Sequence, residues 1–488
     1  MNQRQDSFRE DLRSLAPILG IMALAVCVRV WHLTTFDMWT DEVHTLSIAR
    51  TGQYSFGPTY RLAPLNFIAT RFAIGALGLN ELAGRIVPFI AGVLTVLATY
   101  FVGKRWLGRR AALFASLLLA ISPWHVYWSQ NARHIAPVSL FVLLGLHGFL
   151  LYWKANVRAG LILAPVCLAI ALAVHPSAAF YPVALLAFVS VSWLVWLLRT
   201  RPHGWAMVER RHAAAFGAVA LVLVAYVPVS LSIGSYLTAN IAPWNPLSNL
   251  IGSLVFYIPP YLALTALGGA VFLWREQDDM GLLLATLVVI PVVQLALASR
   301  FTIASAPYVF ASLVPVVLLA GAALDRLLIL GKAARMTPAM ALVVAGVAVS
   351  QLFELTLYHT KYRGFKARWR EAAEFVRANR DPNDVVVATD ADAVNFYLGS
   401  TDVRWYGTKE LDPAVFPPRT ASGVWYLVFT ADEPLVASSL AARQRVLGSK
   451  ELKQLLPLSF GPKDRSLGVF YEKVKPPNPR AVADGNTR

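Results

Sequence analysis

Residues 82–103 read LAGRIVPFIAGVLTVLATYFVG, an uninterrupted apolar run that carries a single charge, Arg85. A helix of about 20 apolar residues matches the roughly 30 Å hydrocarbon core of a bilayer. Comparable runs recur up to about residue 359, and 57% of the chain is hydrophobic against 15% charged. Soluble domains carry about 25% charged residues. The sequence therefore predicts a polytopic α-helical membrane protein.

Eleven such runs are predicted to cross the membrane. The first is interpreted as a span and not as a cleavable signal peptide, because it is long and no small-residue cleavage pattern follows it. The predicted spans are residues 14–33, 82–103, 111–129, 135–152, 160–175, 178–198, 213–233, 250–274, 281–298, 305–323 and 338–358.

The distribution of Lys and Arg between the connecting segments predicts the orientation. Seventeen of these residues fall on one side and five on the other, and the richer side is expected to be cytoplasmic. The N-terminus is then cytoplasmic, and an odd number of spans places the C-terminal region outside. The high Ala, Arg and Val content suits a bacterium with a GC-rich genome, so we expect the inner (cell) membrane of a bacterium.

The chain divides into three regions by composition. The first external loop within the first region is expected to carry two amphipathic helices that lie in the membrane interface. Beyond residue 360 the composition is that of a soluble α/β domain, with a periodic helix before a strand at 384–388. The predicted regions are a transmembrane domain 1–359 with its external loop 34–81, an extracytoplasmic α/β domain 360–475, and a disordered tail 476–488.

Charge and cysteine content exclude several classes of protein. The formal charge of +16 lies mostly in loops beside apolar runs, which topology explains better than a nucleic-acid partner does. The two cysteines, Cys27 and Cys167, each lie inside a predicted span and form neither a disulfide scaffold nor a metal framework.

Ionisable groups at the predicted outer face are the candidate functional residues, because such groups are costly near hydrocarbon. Asp41 and Glu42 form an acidic pair, which a set of cations and a histidine accompanies at the same face. An acidic pair with surrounding cations suits a reaction on a phosphorylated lipid, with a carboxylate as base and cations on the phosphate. The accompanying residues are Arg61, Arg85, Arg133, His175 and Arg300.

Each candidate also has a structural interpretation. Asp41 is equally typical of a helix cap, Arg133 of a cation at a helix end that reaches the interface, and His175 of a hydrogen-bonded core residue. A divalent metal bound by Asp41, Glu42 and His44 is a further interpretation, although the spacing is not diagnostic; no other cofactor is expected. Asp390 and Asp392 are typical of solvated surface.

Several short segments resemble one family when they are taken in order. Residues 39–42, Trp-Thr-Asp-Glu, resemble the Asp-Glu motif in the first external loop of GT-C glycosyltransferases. The nearest branch contains the protein O-mannosyltransferases, the lipid A aminoarabinose transferases and their bacterial relatives, of the glycosyltransferase family 39 type. Residues 64–67, 85–88 and 128–133 are similar to further family elements, and His175 stands where a His commonly closes the fifth span.

The resemblance implies a GT-C fold and a reaction. A sugar would pass from a polyprenyl-phosphate donor to a hydroxyl on the outer face, with inversion at the anomeric carbon. Asp41 would be the base, Glu42 would assist, and Arg133 with Arg300 or Arg61 would hold the leaving phosphate. The acceptor would be a glycan, a lipid or a protein.

The sequence departs from the family pattern at two places. The His that usually precedes the proline element is replaced by Leu62-Ala63. The Arg-Tyr pair that often opens the tenth span is replaced by Ala306-Pro307-Tyr308, with Arg300 the nearest cation. Two other classes of function therefore stay open: a flippase or transporter of a lipid-linked saccharide, and a non-catalytic scaffold of envelope assembly.

Overall fold

A computed structural model describes most of the chain. The described residues are 2–52, 63–200, 209–240, 247–276, 279–300, 305–405, 420–429, 453–460 and 465–473. The predicted disordered tail, 476–488, and Arg61 lie outside these ranges, as do most residues of the segment that precedes Leu65.

The described residues form two compact units. The first comprises residues 1–33 and 48–355, and the second comprises residues 34–47 and 356–488. The first unit is helical, and the second contains a mixed sheet. Residues 34–47 thus group with the C-terminal region and not with the helices on either side of them in the chain.

The helices follow the apolar runs. In chain order they are α1 (Asn2–Val30), α2 (Thr40–Thr51), α3 (Leu65–Leu77), α4 (Glu81–Trp106), α5 (Arg109–Ala120), α6 (Pro123–Ser129), α7 (Ile135–Ala155), α8 (Gly160–Val174), α9 (Phe180–Thr200), α10 (Arg210–Asn240), α11 (Leu247–Tyr257), α12 (Pro260–Arg275), α13 (Asp279–Ala298), α14 (Leu313–Ala333) and α15 (Thr337–His359). Short 3-10 helices precede α9, at Pro176–Ala179, and α14, at Ala306–Ser312.

The chain is a multi-pass membrane protein. Seven helical segments of the described ranges are long and apolar enough to cross a membrane, or nine if two bent pairs each form one span. The pairs are α5 with α6, bent by 62°, and α11 with α12, bent by 78°. The remaining two predicted spans correspond to shorter apolar helices, Leu15–Val30 of α1 and α8. The count of eleven therefore stays a prediction.

A buried arginine stabilises the bend between α5 and α6. Carbonyls that a broken helix leaves unpaired must find donors when no water is near. The Arg29 guanidinium, which is fully buried, donates to the carbonyls of Leu119 at 3.2 Å and Ala120 at 3.0 Å. It also contacts His125 Nδ1 at 2.8 Å and donates to Ser129 Oγ at 3.2 Å. One side chain of α1 thus satisfies the end of α5 and holds α6.

The second unit is built on a sheet of five described strands. Its elements are α16 (Trp369–Asn379), β1 (Val385–Ala388), α17 (Ala391–Leu398), β2 (Arg404–Trp405), β3 (Gly423–Phe429), β4 (Lys453–Phe460) and β5 (Arg465–Lys473). The strand order is β2-β1-β3-β5-β4, with β1 parallel to β2 and β3, and β5 antiparallel to its neighbours. The apolar face of α16, Trp369, Ala372, Ala373 and Val376, is buried in the core of this unit.

Close packing in the first unit depends on glycine at Gly269. A Cβ added there would overlap the backbone carbonyl of Leu319, so α12 and α14 are in direct backbone contact. At the neighbouring Gly268 the nearest atom to an added Cβ is Ala323 Cβ, at 4.0 Å. Glycines that let backbones approach are typical of helix pairs in membranes.

We therefore expect Gly269→Ala to lower the free energy of unfolding by about 1–3 kcal/mol, the usual cost of overpacking. The matched control, Gly268→Ala, should be neutral or slightly stabilising, because Ala favours helix by up to ~1 kcal/mol over Gly. Thermal unfolding of the purified protein in detergent measures both. Equal unfolding midpoints for the two variants would contradict the packing.

Candidate functional site

The acidic segment, residues 37–44, is held by other residues of the second unit. The backbone N–H of Met38 donates to Tyr397 Oη at 2.8 Å, and that of Thr40 donates to Asp390 Oδ2 at 3.0 Å. Asp37 accepts from the backbone N–H of Arg370 at 2.9 Å. The chain on the N-terminal side of Asp41 is therefore fixed by side chains and backbone that come more than 300 residues later.

Glu42 is part of a buried ion pair. Its side chain is 0% exposed, and its Oε2 lies 2.5 Å from Lys366 Nζ, whose side chain is 6% exposed. Lys366 Nζ also lies 5.4 Å from the centre of the Trp39 ring, in a cation-π arrangement. A carboxylate is costly to bury unless it is paired. Lys366 thus satisfies Glu42 and fixes the first turn of α2.

Asp41 differs from Glu42 in its exposure. It lies in the first turn of α2, and its side chain is partly exposed. Its own carbonyl accepts a hydrogen bond from Thr45 Oγ1 at 2.9 Å. Asp41 therefore combines a fixed backbone with a side chain that solvent or a ligand can reach.

His44 and two aspartates complete the contacts of this segment. His44 Nε2 lies 2.5 Å from Asp392 Oδ2, and both side chains are partly exposed. Asp390 is 7% exposed, and burial raises its pKa, an effect that hydrogen bonds from the N–H groups of Thr40 and Ala393 oppose. The interpretation of Asp390 as solvated surface is wrong, because its side chain is buried and accepts a hydrogen bond from Thr40. Asp392 is partly exposed, and its carboxylate contacts His44.

Asp41, Glu42 and His44 are the predicted ligands of a metal ion. Within the described part of the chain, no group of three or more His, Cys, Asp or Glu side chains is arranged to hold a metal ion. Of the predicted ligands, Glu42 is paired with Lys366 and His44 with Asp392. The structure thus does not bring Asp41, Glu42 and His44 together as a metal site.

A second cluster lies in the first unit, around the break between α6 and α7. The rings of His134 and His175 stack with centroids 3.4 Å apart and planes within 3°. The Tyr308 ring, from the 3-10 helix before α14, lies 5.7 Å from His175 in a stacked arrangement. His175 Nδ1 accepts from the Ser177 N–H at 3.2 Å, so the sharp turn after α8 holds the ring in place.

The charge of Arg133 acts on this cluster. Burial first, and then the charges of His175 and Arg133, lower the pKa of His134 well below its ordinary value. His134 is therefore neutral at pH 7. Its Nε2 is buried and has no hydrogen-bond partner among the described residues. Since a buried polar atom without a partner is costly, this nitrogen is suited to meet a polar group of a ligand.

Two of the remaining predicted cations, Arg85 and Arg300, lie in the described residues. Arg85 is 1% exposed and donates to the Leu33 carbonyl at 2.8 Å, so it ties α4 to the chain that follows α1. This contact favours a structural role over phosphate binding. Arg300 is exposed in the turn after α13. Arg61 lies outside the described residues.

Sequence reasoning missed Lys366, Arg370 and Tyr397, which contact the acidic segment from the second unit. Lys366 follows the last apolar run and resembles the ordinary cations that flank membrane spans. Glu42 is buried in the structure and therefore requires a cation, but nothing in the sequence indicates which cation it is. The sequence indicates Tyr308 only as the Tyr of the incomplete Arg-Tyr pair, and not its contact with His175.

The comparisons with known proteins agree with this architecture. The family model described as "Dolichyl-phosphate-mannose-protein mannosyltransferase" matches residues 63–231. Among solved structures, the chain is similar to ArnT from Cupriavidus metallidurans in the apo state, with a TM-score of 0.57 and 15% identity over 93% of this chain and 97% of that one. The ArnT structure bound to undecaprenyl phosphate gives a TM-score of 0.56 and 16% identity, over 93% and 98% of the two chains.

A more distant similarity extends to an archaeal enzyme. The Archaeoglobus fulgidus oligosaccharyltransferase in the apo form gives a TM-score of 0.53 and 13% identity, over 84% of this chain and 69% of that one. No curated protein matches the sequence. The resemblance to GT-C glycosyltransferases is therefore confirmed, and the chain has their fold.

The buried pair of Glu42 and Lys366 generates a stability prediction. Lys366→Met leaves Glu42 buried without its cation and should lower the free energy of unfolding by about 3–5 kcal/mol. The matched control is Arg368→Met, which breaks the exposed pair with Glu371 and should cost about 0–1 kcal/mol. Thermal unfolding in detergent compares them.

The double variant Glu42→Met with Lys366→Met tests the cause of that loss. Because both charges are removed together, most of the stability should return. If the double variant is as unstable as Lys366→Met alone, the loss is due to packing and the ion-pair argument is wrong.

Proposed function

We propose that this chain is a glycosyltransferase that moves a sugar from a polyprenyl-phosphate donor to a hydroxyl acceptor at the extracytoplasmic face of a bacterial inner membrane. In this proposal the chain crosses the membrane eleven times, with the N-terminus in the cytoplasm and the C-terminal α/β domain outside. The fold supports the class of enzyme. The undecaprenyl phosphate in one ArnT structure supports the class of carrier.

The observation that carries the proposal is the partial exposure of the Asp41 side chain in a segment that contacts hold in place. Asp37, Met38, Thr40, Glu42 and His44 each contact later residues of the second unit, and the Asp41 side chain is partly exposed. Holding a base in place before the substrate arrives avoids an entropic cost during reaction. A role as helix cap alone would not need contacts on both sides.

The chemistry follows from the nature of the donor. The acceptor oxygen attacks the anomeric carbon while the bond from that carbon to the phosphate oxygen breaks. Asp41 takes the proton of the hydroxyl, a contribution of roughly 10²–10⁴ in rate. The polyprenyl phosphate leaves as an anion and needs positive charge, not a proton. We assign that role to Arg133, with the unpartnered Nε2 of His134 as a hydrogen-bonding neighbour.

Asp41→Asn should therefore reduce sugar transfer by about 10²-fold or more while the protein accumulates and unfolds as the wild type does. The matched control is Asp402→Asn, which alters an exposed carboxylate of the same unit and should leave transfer unchanged. Transfer is measured in proteoliposomes as release of polyprenyl phosphate from a panel of labelled polyprenyl-phosphate sugars. Retained activity in Asp41→Asn would reject this residue as the base.

Arg133→Ala should weaken binding of polyprenyl phosphate by about tenfold or more, because a charge-assisted contact to phosphate is lost. Arg158→Ala removes an exposed arginine after α7 and should leave affinity as it is. Affinity is measured by titration of the purified protein with the lipid. Equal affinities in the two variants would remove the phosphate role from Arg133.

The rival functions give different results in the same assay. A flippase would move a lipid-linked saccharide across the proteoliposome membrane without cleavage. A scaffold would neither cleave nor move any donor. Cleavage that depends on Asp41 is expected of a glycosyltransferase alone.

A further inference from the structure

The acidic segment lies at the carboxyl end of strand β1 in the second unit. Asp390 and Asp392 follow β1 directly and belong to the start of α17. Both contact the segment, Asp390 at the Thr40 N–H and Asp392 at His44. Tyr397 of the same helix contacts the Met38 N–H. Three residues of one βα connection and its helix thus hold the segment.

This place in the sheet is where open α/β sheets bind ligands. After β1 the chain forms β2 on one side of β1, and it later forms β3 on the other side of β1. Such a reversal opens a crevice beyond the carboxyl ends of the strands, and ligands bind there. Here the chain's own residues 38–44 contact the residues that follow β1.

Asp390 connects the two helices that begin at this point. Its Oδ1 accepts from the Ala393 N–H at 3.0 Å and so caps α17. Its Oδ2 accepts from the Thr40 N–H at 3.0 Å, at the first residue of α2. One oxygen of this carboxylate therefore caps α17, and the other holds the backbone of Thr40, the residue before Asp41.

We propose that Asp390 is a positioning residue for the transfer reaction, and that the α/β unit acts through it to hold Asp41 in its reactive position. The inference rests on the proposed function, because it takes Asp41 as the base. Asp390 touches no reacting atom; it acts through the backbone of Thr40. Loss of the hydrogen bond between Asp390 and the Thr40 N–H therefore lowers kcat and leaves the affinity for the donor unchanged.

The first test is Asp390→Asn. An amide keeps one acceptor oxygen, which can cap α17, but its NH2 group cannot accept the Thr40 N–H. We expect kcat to fall by about 10²-fold, as a misplacement of a reacting group by about 1 Å would cause. The KM for the donor and the affinity for polyprenyl phosphate should not change.

Asp384 offers a matched control at the other end of β1. It is 8% exposed, and its Oδ2 accepts from Trp425 Nε1 and from the Asp381 N–H, both at 2.9 Å. Asp384→Asn therefore perturbs a buried, hydrogen-bonded carboxylate of the same unit away from the acidic segment. It should lower the unfolding temperature without the specific loss in kcat.

A second variant removes the same hydrogen bond from the other partner. Thr40 is the first residue of α2, where proline is well tolerated and its missing N–H is otherwise unpaired in the helix. Thr40→Pro should reproduce the kcat loss of Asp390→Asn while Asp390 still caps α17. The double variant should be no worse than either single variant, because both remove one interaction.

The outcomes separate this inference from the proposed function. Transfer that depends on Asp41, with Asp390→Asn and Asp384→Asn equally active, overturns the positioning role and leaves the glycosyltransferase in place. If no donor is cleaved by the wild type, hydrogen exchange at the amides of residues 40–45 still decides the geometry. Faster exchange in Asp390→Asn than in Asp384→Asn supports the inference that Asp390 fixes this segment. Equal exchange in the two variants overturns that inference.

Discussion

A buried carboxylate needs a positive partner, and Glu42 has one in Lys366, which lies 324 residues further along the chain. This pair is one of the contacts that join residues 34–47 to the second unit, although these residues follow α1 in the chain. Contacts with the C-terminal region thus order these residues. The arrangement of Asp41 depends on that ordering, since its two neighbours Thr40 and Glu42 both contact the later part of the chain.

Features of the structure that depend on local sequence were predictable. Apolar runs of sufficient length are helices in the first unit, and α16 and β1 lie where periodicity indicated a helix and a strand. Hydrophobicity and periodicity are properties of residues that are close in sequence, so a single sequence is sufficient to predict these elements. Bends interrupt two of the predicted runs, and the bend between α5 and α6 is stabilised by hydrogen bonds from Arg29, which comes from another helix.

Features that depend on distant partners were not predictable. Asp390 resembles any surface aspartate in sequence, yet it is 7% exposed and connects two helix starts that are 350 residues apart. Arg85 shows the same limit: its charge one turn inside an apolar run indicated function, and nothing in the sequence indicates that its guanidinium donates to the Leu33 carbonyl. A single sequence records that a residue is charged and where it lies along the chain. It does not record which carbonyl or carboxylate reaches it after folding.

One of the two departures from the family pattern, at Ala306-Pro307-Tyr308, lies beside the histidine cluster of the first unit. Where relatives often have Arg-Tyr, this chain keeps only Tyr308, and the ring of Tyr308 stacks beside His175, which in turn stacks on His134. Burial disfavours charge on His134, and the neighbouring His175 and Arg133 disfavour it further, so the pKa of His134 is lowered. His134 therefore stays neutral, and Arg133 supplies positive charge beside it. A single guanidinium beside neutral hydrogen-bonding rings can still bind a phosphate, so the missing arginine at residue 307 does not by itself argue against a phosphorylated donor.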